Sequence, residues 1–99
     1  MAYRVEWSPR AIHDVESIAE YISRDSTAYA AAVVRNIIAV TRTLARFPLA
    51  GRMVPELEDD ALRERFVYSY RIIYRVEKHT VIITAVIHGR QMLPSIETE

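Results

Sequence analysis

Cysteine is absent from this 99-residue chain. That removes disulfides, a thiolate nucleophile and every cysteine metal site, and it fits a reducing cytoplasm. Only two glycines occur, Gly51 and Gly89, which excludes a glycine-rich phosphate loop. Lysine is almost missing: Lys78 stands alone among 13 basic residues, and the rest are arginine. Long apolar runs are missing too. The stretches 28–34 and 81–87 fall far short of the roughly 20 residues that span a membrane, and the charged opening Tyr3-Arg4-Val5-Glu6 does not suit a secretion signal. The histidines His13, His79 and His88 show no metal-ligand spacing, so neither a metal nor another cofactor is expected.

Charge of one sign is also lacking, since 13 basic residues meet 13 acidic ones. A protein that binds nucleic acid chiefly by neutralising phosphates usually carries a basic excess. The preference for arginine suits planar, bidentate contacts to carboxylates or phosphates.

What is present reads as a small α+β protein, with residues 1–99 forming one domain large enough to bury about two-thirds of its unfolded surface. Tyr3 to Trp7 alternates apolar and charged residues, as a half-buried strand does, with Trp7 as a core anchor. Ser8-Pro9 then supplies an N-cap and a first helical residue. Ala11, Ile12, Val15, Ile18, Ala19 and Ile22 recur at helical spacing to about Ser23. Thr27 is a candidate cap for a second helix, over about Ala28 to Arg46, which Pro48 ends. The short turn between them predicts an antiparallel helical hairpin. From Pro48 to about Leu62 no period is visible, and the segment carries the acidic run Glu56 to Asp60. A stretch this long without regular structure is either functional or a plain crossover with a solvated acidic run.

Arg63 to Tyr68, Arg71 to Val76 and Thr80 to His88 read as strands, with Glu77 to His79 as the second turn. Ser69 and Tyr70 suit a two-residue hairpin turn poorly, because neither favours positive φ, so a longer loop or a bulge is expected there. A slip of one residue moves Arg65 to the other sheet face. The order β-α-α-β-β-β predicts the helical hairpin on one face of a small, mostly antiparallel sheet. The opposite face would be open and carry the polar strand residues. The tail 91–99 is expected to be loosely held.

The chemistry-bearing candidates are the arginines on the strands and the histidine that ends the last one. Arg65 and Arg71 could hold a scissile phosphate, with His88 as general acid or base and a ribose 2′-hydroxyl as nucleophile. Against this, His88 reads more readily as a strand-end histidine bonded to backbone, and Arg75 as a cross-strand partner of Glu64 or Glu77. Tyr68, Tyr70 and Tyr74 could stack on bases, but tyrosines on strands more often pack the core.

Several blocks together resemble the RelE/ParE superfamily of toxins from type II toxin–antitoxin systems. They are Val5 to Ala11, Phe47-Pro48-Leu49-Ala50-Gly51-Arg52 with Pro55-Glu56, Arg63-Glu64, Tyr70-Arg71-Ile72-Ile73-Tyr74-Arg75, and Val86-Ile87-His88-Gly89-Arg90. The resemblance implies a cytoplasmic growth-arresting toxin, of the kind found in plasmid stabilisation modules, neutralised by a cognate ParD- or RelB-like antitoxin. The antitoxin would lay apolar and acidic residues on the helical hairpin and the open sheet edge. RelE-like members carry strand lysines and a C-terminal tyrosine. Here Arg63 and Arg65 hold those strand positions, and no tyrosine follows Tyr74. With the Pro48-to-Glu56 link, this favours the ParE-like branch, whose members inhibit DNA gyrase by binding. Arg52, Arg71 and Arg90 are then the expected target-binding residues. The alternative is a ribosome-dependent, metal-independent mRNA endoribonuclease using Arg65, Arg71 and His88.

Overall fold

The computed structural model describes residues 2–90, so the expected loose tail lies outside the described residues. In chain order the elements are β1 (Arg4–Trp7), α1 (Pro9–Ser23), α2 (Thr27–Thr43), β2 (Arg52–Met53), β3 (Leu62–Val67), β4 (Tyr70–Glu77) and β5 (Thr80–His88). The strands form one sheet in the order β1-β5-β4-β3-β2. Every pairing is antiparallel except β1 with β5. The first strand thus takes the far edge beside the last, because the helical hairpin returns the chain across the sheet. None of the described helices is long and apolar enough to cross a membrane.

Each helix starts where a serine hydroxyl accepts an otherwise orphan N–H. Ser8 Oγ accepts from Ala11 N at 3.0 Å. For the second helix the cap is Ser26, which accepts from Tyr29 N at 3.0 Å, and not the expected Thr27, which is already helical. The helix also stops at Thr43, short of Arg46, where hydroxyls and tight turns take over its last carbonyls. The two helices bury Ala11, Val33, Ile37 and Leu44 against Ile72, Tyr74, Val81, Ile83 and Val86, the main core. Trp7 packs at its margin.

The sheet departs from expectation in two places. The β3–β4 turn is a two-residue loop, Tyr68-Ser69, closed by the pair Val67–Tyr70. Tyr68 takes the left-handed conformation, with φ 55°, at a cost of about 1 kcal/mol or more for a bulky residue. Its side chain offsets that cost. The ring meets Tyr29 edge-on, with centroids 6.0 Å apart, and the hydroxyl accepts from Asn36 Nδ2 at 2.8 Å. The irregularity lies instead in β5. Ile73 pairs with Ala85 and Tyr74 with Ile83, which leaves Thr84 bulged out. Its carbonyl accepts from Ser8 Oγ at 2.9 Å, and the carbonyl of Ile83 accepts from Ser8 N at 2.9 Å. Asp14 on α1 accepts from Val86 N at 2.9 Å. The bulge therefore anchors the start of the first helix on the sheet.

The opposite sheet face is not open. Val54 and Leu57 lie against Leu62, Ile73, Ala85 and Ile87 as a second, smaller core. The link read as aperiodic is thus a strap across the sheet. It is pinned at its start by β2, at its middle by these apolar contacts, and at its end by the Ala61 carbonyl, which accepts from Val76 N of β4 at 2.8 Å.

Gly51 opens the strap. A Cβ there would collide with the Glu64 carbonyl and stand 2.6 Å from the Tyr74 hydroxyl, which itself accepts from Gly51 N at 2.9 Å. Gly51→Ala is therefore expected to destabilise the protein by about 1–3 kcal/mol, in the range of overpacked cores. Urea unfolding measures this, and an unchanged midpoint would refute the close approach.

Candidate functional site on the sheet face opposite the helices

Strand alternation sorts the charged residues. Along β3, Leu62, Glu64 and Phe66 share one face and Arg63, Arg65 and Val67 the other. Their pairing with Arg75, Ile73 and Arg71 in the first case, and with Tyr74, Ile72 and Tyr70 in the second, carries the same division onto β4. Tyr74 and Ile72 belong to the helix-side core. Arg63 and Arg65 are therefore on the helix face, and Arg71 and Arg75 on the strap face.

The strap face is built around Glu64, whose side chain has no solvent exposure. Arg52, its partner across β2, donates through Nε to Oε2 at 2.6 Å. Arg71, diagonal to it on β4, donates through Nε to Oε1 at 2.8 Å, and Arg71 Nη2 contacts the same oxygen. Arg71 then turns its outer edge to Glu56 of the strap. The pair is bidentate, Nη1 to Oε2 at 2.9 Å and Nη2 to Oε1 at 3.0 Å. One guanidinium thus joins two carboxylates, with its five donors largely committed. Further along the same face Arg75 reaches Asp59 at 3.4 Å, and not Glu64 or Glu77.

Charge and burial act on each other here. The Arg71 guanidinium holds the Glu56 carboxyl below its ordinary value of 4.5, against some opposition from burial. In turn Glu56, with Glu64 behind it, holds Arg71 above the usual arginine value. On the helix side, burial pushes the Tyr74 phenol up, although the Gly51 N–H and the nearby Arg63 and Arg65 pull the other way. Burial likewise raises Tyr70.

The expected site residues are distributed as follows. Arg52 is exposed, with 62% of its side chain open, and its guanidinium lies over the Phe66 ring at 5.7 Å. Arg90 is exposed. Arg71 is not on the surface: only 5% of its side chain is accessible. Arg65 is half-buried on the helix face. His88 is exposed and pairs with Tyr70 on the helix face, where the two rings meet edge-on at 5.9 Å. Its Nδ1 accepts from the Arg90 backbone N–H at 3.3 Å, a backbone contact of the kind a strand-end histidine makes. The structure joins Arg52 to Arg71 through Glu64. It does not join Arg65, Arg71 and His88, because Arg71 stands on the other side of the sheet. Tyr74 is core, Tyr70 packs beside it, and Tyr68 is half exposed.

Glu64 and Glu56 escaped the sequence reading as members of the site. The signal was present in the alternation of β3, but it becomes usable only when the turn is set at Tyr68-Ser69. That placement puts Glu64 two positions diagonal to Arg71.

A family model described as "ParE toxin of type II toxin-antitoxin system, parDE" matches residues 5–93. The protein named "Putative toxin Y4kP" of Sinorhizobium fredii is 30% identical over 95 residues, 94% of this chain and 95% of that one. Among solved structures, the chromosomal ParDE system of P. aeruginosa contains a chain that superposes with a TM-score of 0.73 at 18% identity, over 88% of this chain and 96% of that one. The toxin–antitoxin complex RelBE2 of Mycobacterium tuberculosis gives 0.61 at 26% identity, over 89% and 99%. A mutant of E. coli toxin RelE in the free state gives 0.67 at 18% identity, over 100% and 94%. These last likenesses place the fold in the RelE/ParE superfamily. The chain belongs to the ParE family of toxins of type II toxin–antitoxin systems.

Breaking the network from its centre leaves a buried guanidinium with only part of its hydrogen bonding. Glu64→Leu strands the Arg71 guanidinium beside Glu56 alone and is expected to cost about 3–5 kcal/mol. The double variant Glu64→Leu/Arg71→Met recovers much of that loss, which chemical denaturation can measure. Equal losses in the single and double variants would exclude the network as the cause. For Glu56 the sign is fixed by its depressed value. Its contribution is fully present above pH 4.5 and fades as pH falls through the lower folded value. Glu56→Gln should therefore weaken the protein near neutral pH and flatten the acid limb of its stability curve below pH 4.5. A parallel acid limb in parent and variant would count against the pairing with Arg71.

Proposed function

We propose that this toxin inhibits DNA gyrase by binding it and is neutralised in the cytoplasm by a cognate antitoxin. The observation that carries the proposal is the separation of the ribonuclease candidates. A phosphate held by Arg71 would lie across the sheet from Arg65 and from the His88 imidazole, so no general acid or base meets the anion clamp. Arg71 is moreover already neutralised by Glu56 and Glu64. A binding mechanism asks for none of this chemistry. Arg52 and Arg90 are the exposed cations proposed to meet the target, with Arg71 holding Arg52 in place through their shared carboxylate.

The groove between the helices suits the antitoxin. Ala19, Ala30, Ala31 and Val34 form its apolar floor, and Glu20 and Arg35 stand at its rim. Small residues let an amphipathic partner helix approach closely, and the rim charges set its register. An extended stretch of the same partner could pair with a free sheet edge.

The test is a supercoiling and DNA-cleavage assay of purified gyrase. The expected result is lost supercoiling with accumulation of cleaved DNA. Arg90→Glu should weaken this at least tenfold while the protein still melts cooperatively and binds antitoxin. Arg52 and Arg71 are left intact because reversing either would take a cation from the buried Glu64 carboxylate. Unaffected gyrase in the presence of folded toxin would overturn the proposal in favour of mRNA cleavage on ribosomes. His88→Ala and Arg65→Ala would then be the informative variants.

A further inference from the structure

The balanced charge of this chain conceals a one-sided segment. From Ser26 to Pro55 there is no aspartate or glutamate, while four arginines occur: Arg35, Arg42, Arg46 and Arg52. Arg52 is neutralised by Glu64. The other three are exposed, and among the described residues none has an ion-pair partner.

Their placement on α2 is regular. Arg35 and Arg42 are seven residues apart, two helical turns, which sets them about 10.5 Å apart along the axis and at nearly the same azimuth. Arg46 continues the ridge in the turn beyond the helix, where its backbone N–H donates to Thr43 O at 3.2 Å. Ala39, which lies between Arg35 and Arg42, is exposed and small. On the helix face of the sheet, Arg65 likewise has no ion pair among the described residues. The nearest carboxylate in the helix groove, Glu20, shares the groove rim with Arg35 but is drawn to Arg24 at 3.6 Å.

We propose that the outer face of α2, through Arg35, Arg42 and Arg46, binds the phosphate backbone of a nucleic acid. Guanidinium groups grip phosphates in bidentate fashion. The ridge length also matches the ligand. The span of about 10.5 Å from Arg35 to Arg42 corresponds to roughly three phosphate steps of one strand at about 3.4 Å each along the axis, and Arg46 extends the contact beyond it. An acidic polypeptide is the lesser fit, because protein interfaces are anchored by buried aromatic or aliphatic side chains, and the exposed Phe47 and Leu49 lie only beyond the Arg46 end of the ridge. Zero net charge does not oppose the proposal. Exposed charges act over about 10 Å at ordinary salt, so a local cluster is felt locally. The proposal concerns a different surface from Arg52 and Arg90 and stands whether or not gyrase is the target.

The experiment is fluorescence-anisotropy titration of a labelled 30-base-pair duplex with the purified chain across a salt series. The parent should bind with a log–log salt slope near −3, about 0.9 per phosphate contacted. Arg35→Glu/Arg42→Glu/Arg46→Glu should lose at least tenfold in affinity with an unchanged melting curve, and Arg42→Glu alone should reduce the slope by about one. A control of equal net charge reverses Arg4, Arg24 and Lys78, exposed cations away from the ridge, and should retain most of the binding. Equal loss in both triple variants would show that only net charge matters and would overturn the proposal. So would no parental binding at low salt, or competition by poly-glutamate as effective as unlabelled duplex, which would assign the ridge to an acidic peptide.

Discussion

Glu64 sits in the middle of β3 with its carboxylate sealed from water. An ionised group in that position is tolerable only if cations reach both of its oxygens. The sheet supplies one from each side, Arg52 from β2 and Arg71 from β4. This requirement organises much of what surrounds it. A two-residue strand such as β2 has little pairing of its own, and the Arg52 contact helps to hold it at the edge. Arg71 enters the same network with charge and donors to spare, and Glu56 takes them up. The strap is drawn over the sheet by that bond as much as by Val54 and Leu57. The close approach at Gly51 belongs to the same arrangement, since the collision there involves the backbone carbonyl of Glu64 itself.

The consequence for function is that the strap face carries cations without being a cationic surface. Arg71 is inside the structure, answered by two carboxylates, and Arg75 is answered by Asp59. Acidic residues that a composition reading leaves in solvent act here as internal counterions. The strand arginines cost little stability because the preceding strap and the neighbouring strand neutralise them. A face of this kind is suited to recognition by shape and by the few groups left at its rim, chiefly Arg52, rather than to gripping phosphate with several free guanidiniums at once.

The fold was largely legible in the sequence, and the site much less so. Helix periodicity, Ser8-Pro9 and the β-rich runs located the elements, because these signals depend on residues near one another. The two-residue strand at Arg52–Met53 was not legible, since its only support is β3 ten residues further on. The hairpin turn was misplaced because propensity argues against positive φ at tyrosine. Its tolerance at Tyr68 comes from contacts with Tyr29 and Asn36 on a helix more than thirty residues away. That single placement decided which face each arginine occupies. The pairing of Arg71 could not be read until the register was known, and the same uncertainty had left Arg65 beside Arg71 as a joint phosphate clamp.

The arginines of this chain also show why net charge is a poor guide to surface. Seen in composition they are one population, cancelled residue for residue by acids. In the structure they divide by what the neighbouring chain can offer. Those on the strap face lie beside the acidic run 56–60 and are consumed by it. Those on α2 fall in a thirty-residue stretch with no acid at all, and the helix period collects them on one side. Internal pairing needs carboxylates within about 4 Å, and α2 presents none to its outer face. A helix ridge of unanswered guanidiniums gains nothing for the folded state, because like charges near one another repel. Its cost is small but unopposed by any contact within the described chain, and a polyanion outside the chain is the ligand that would turn that repulsion into attraction.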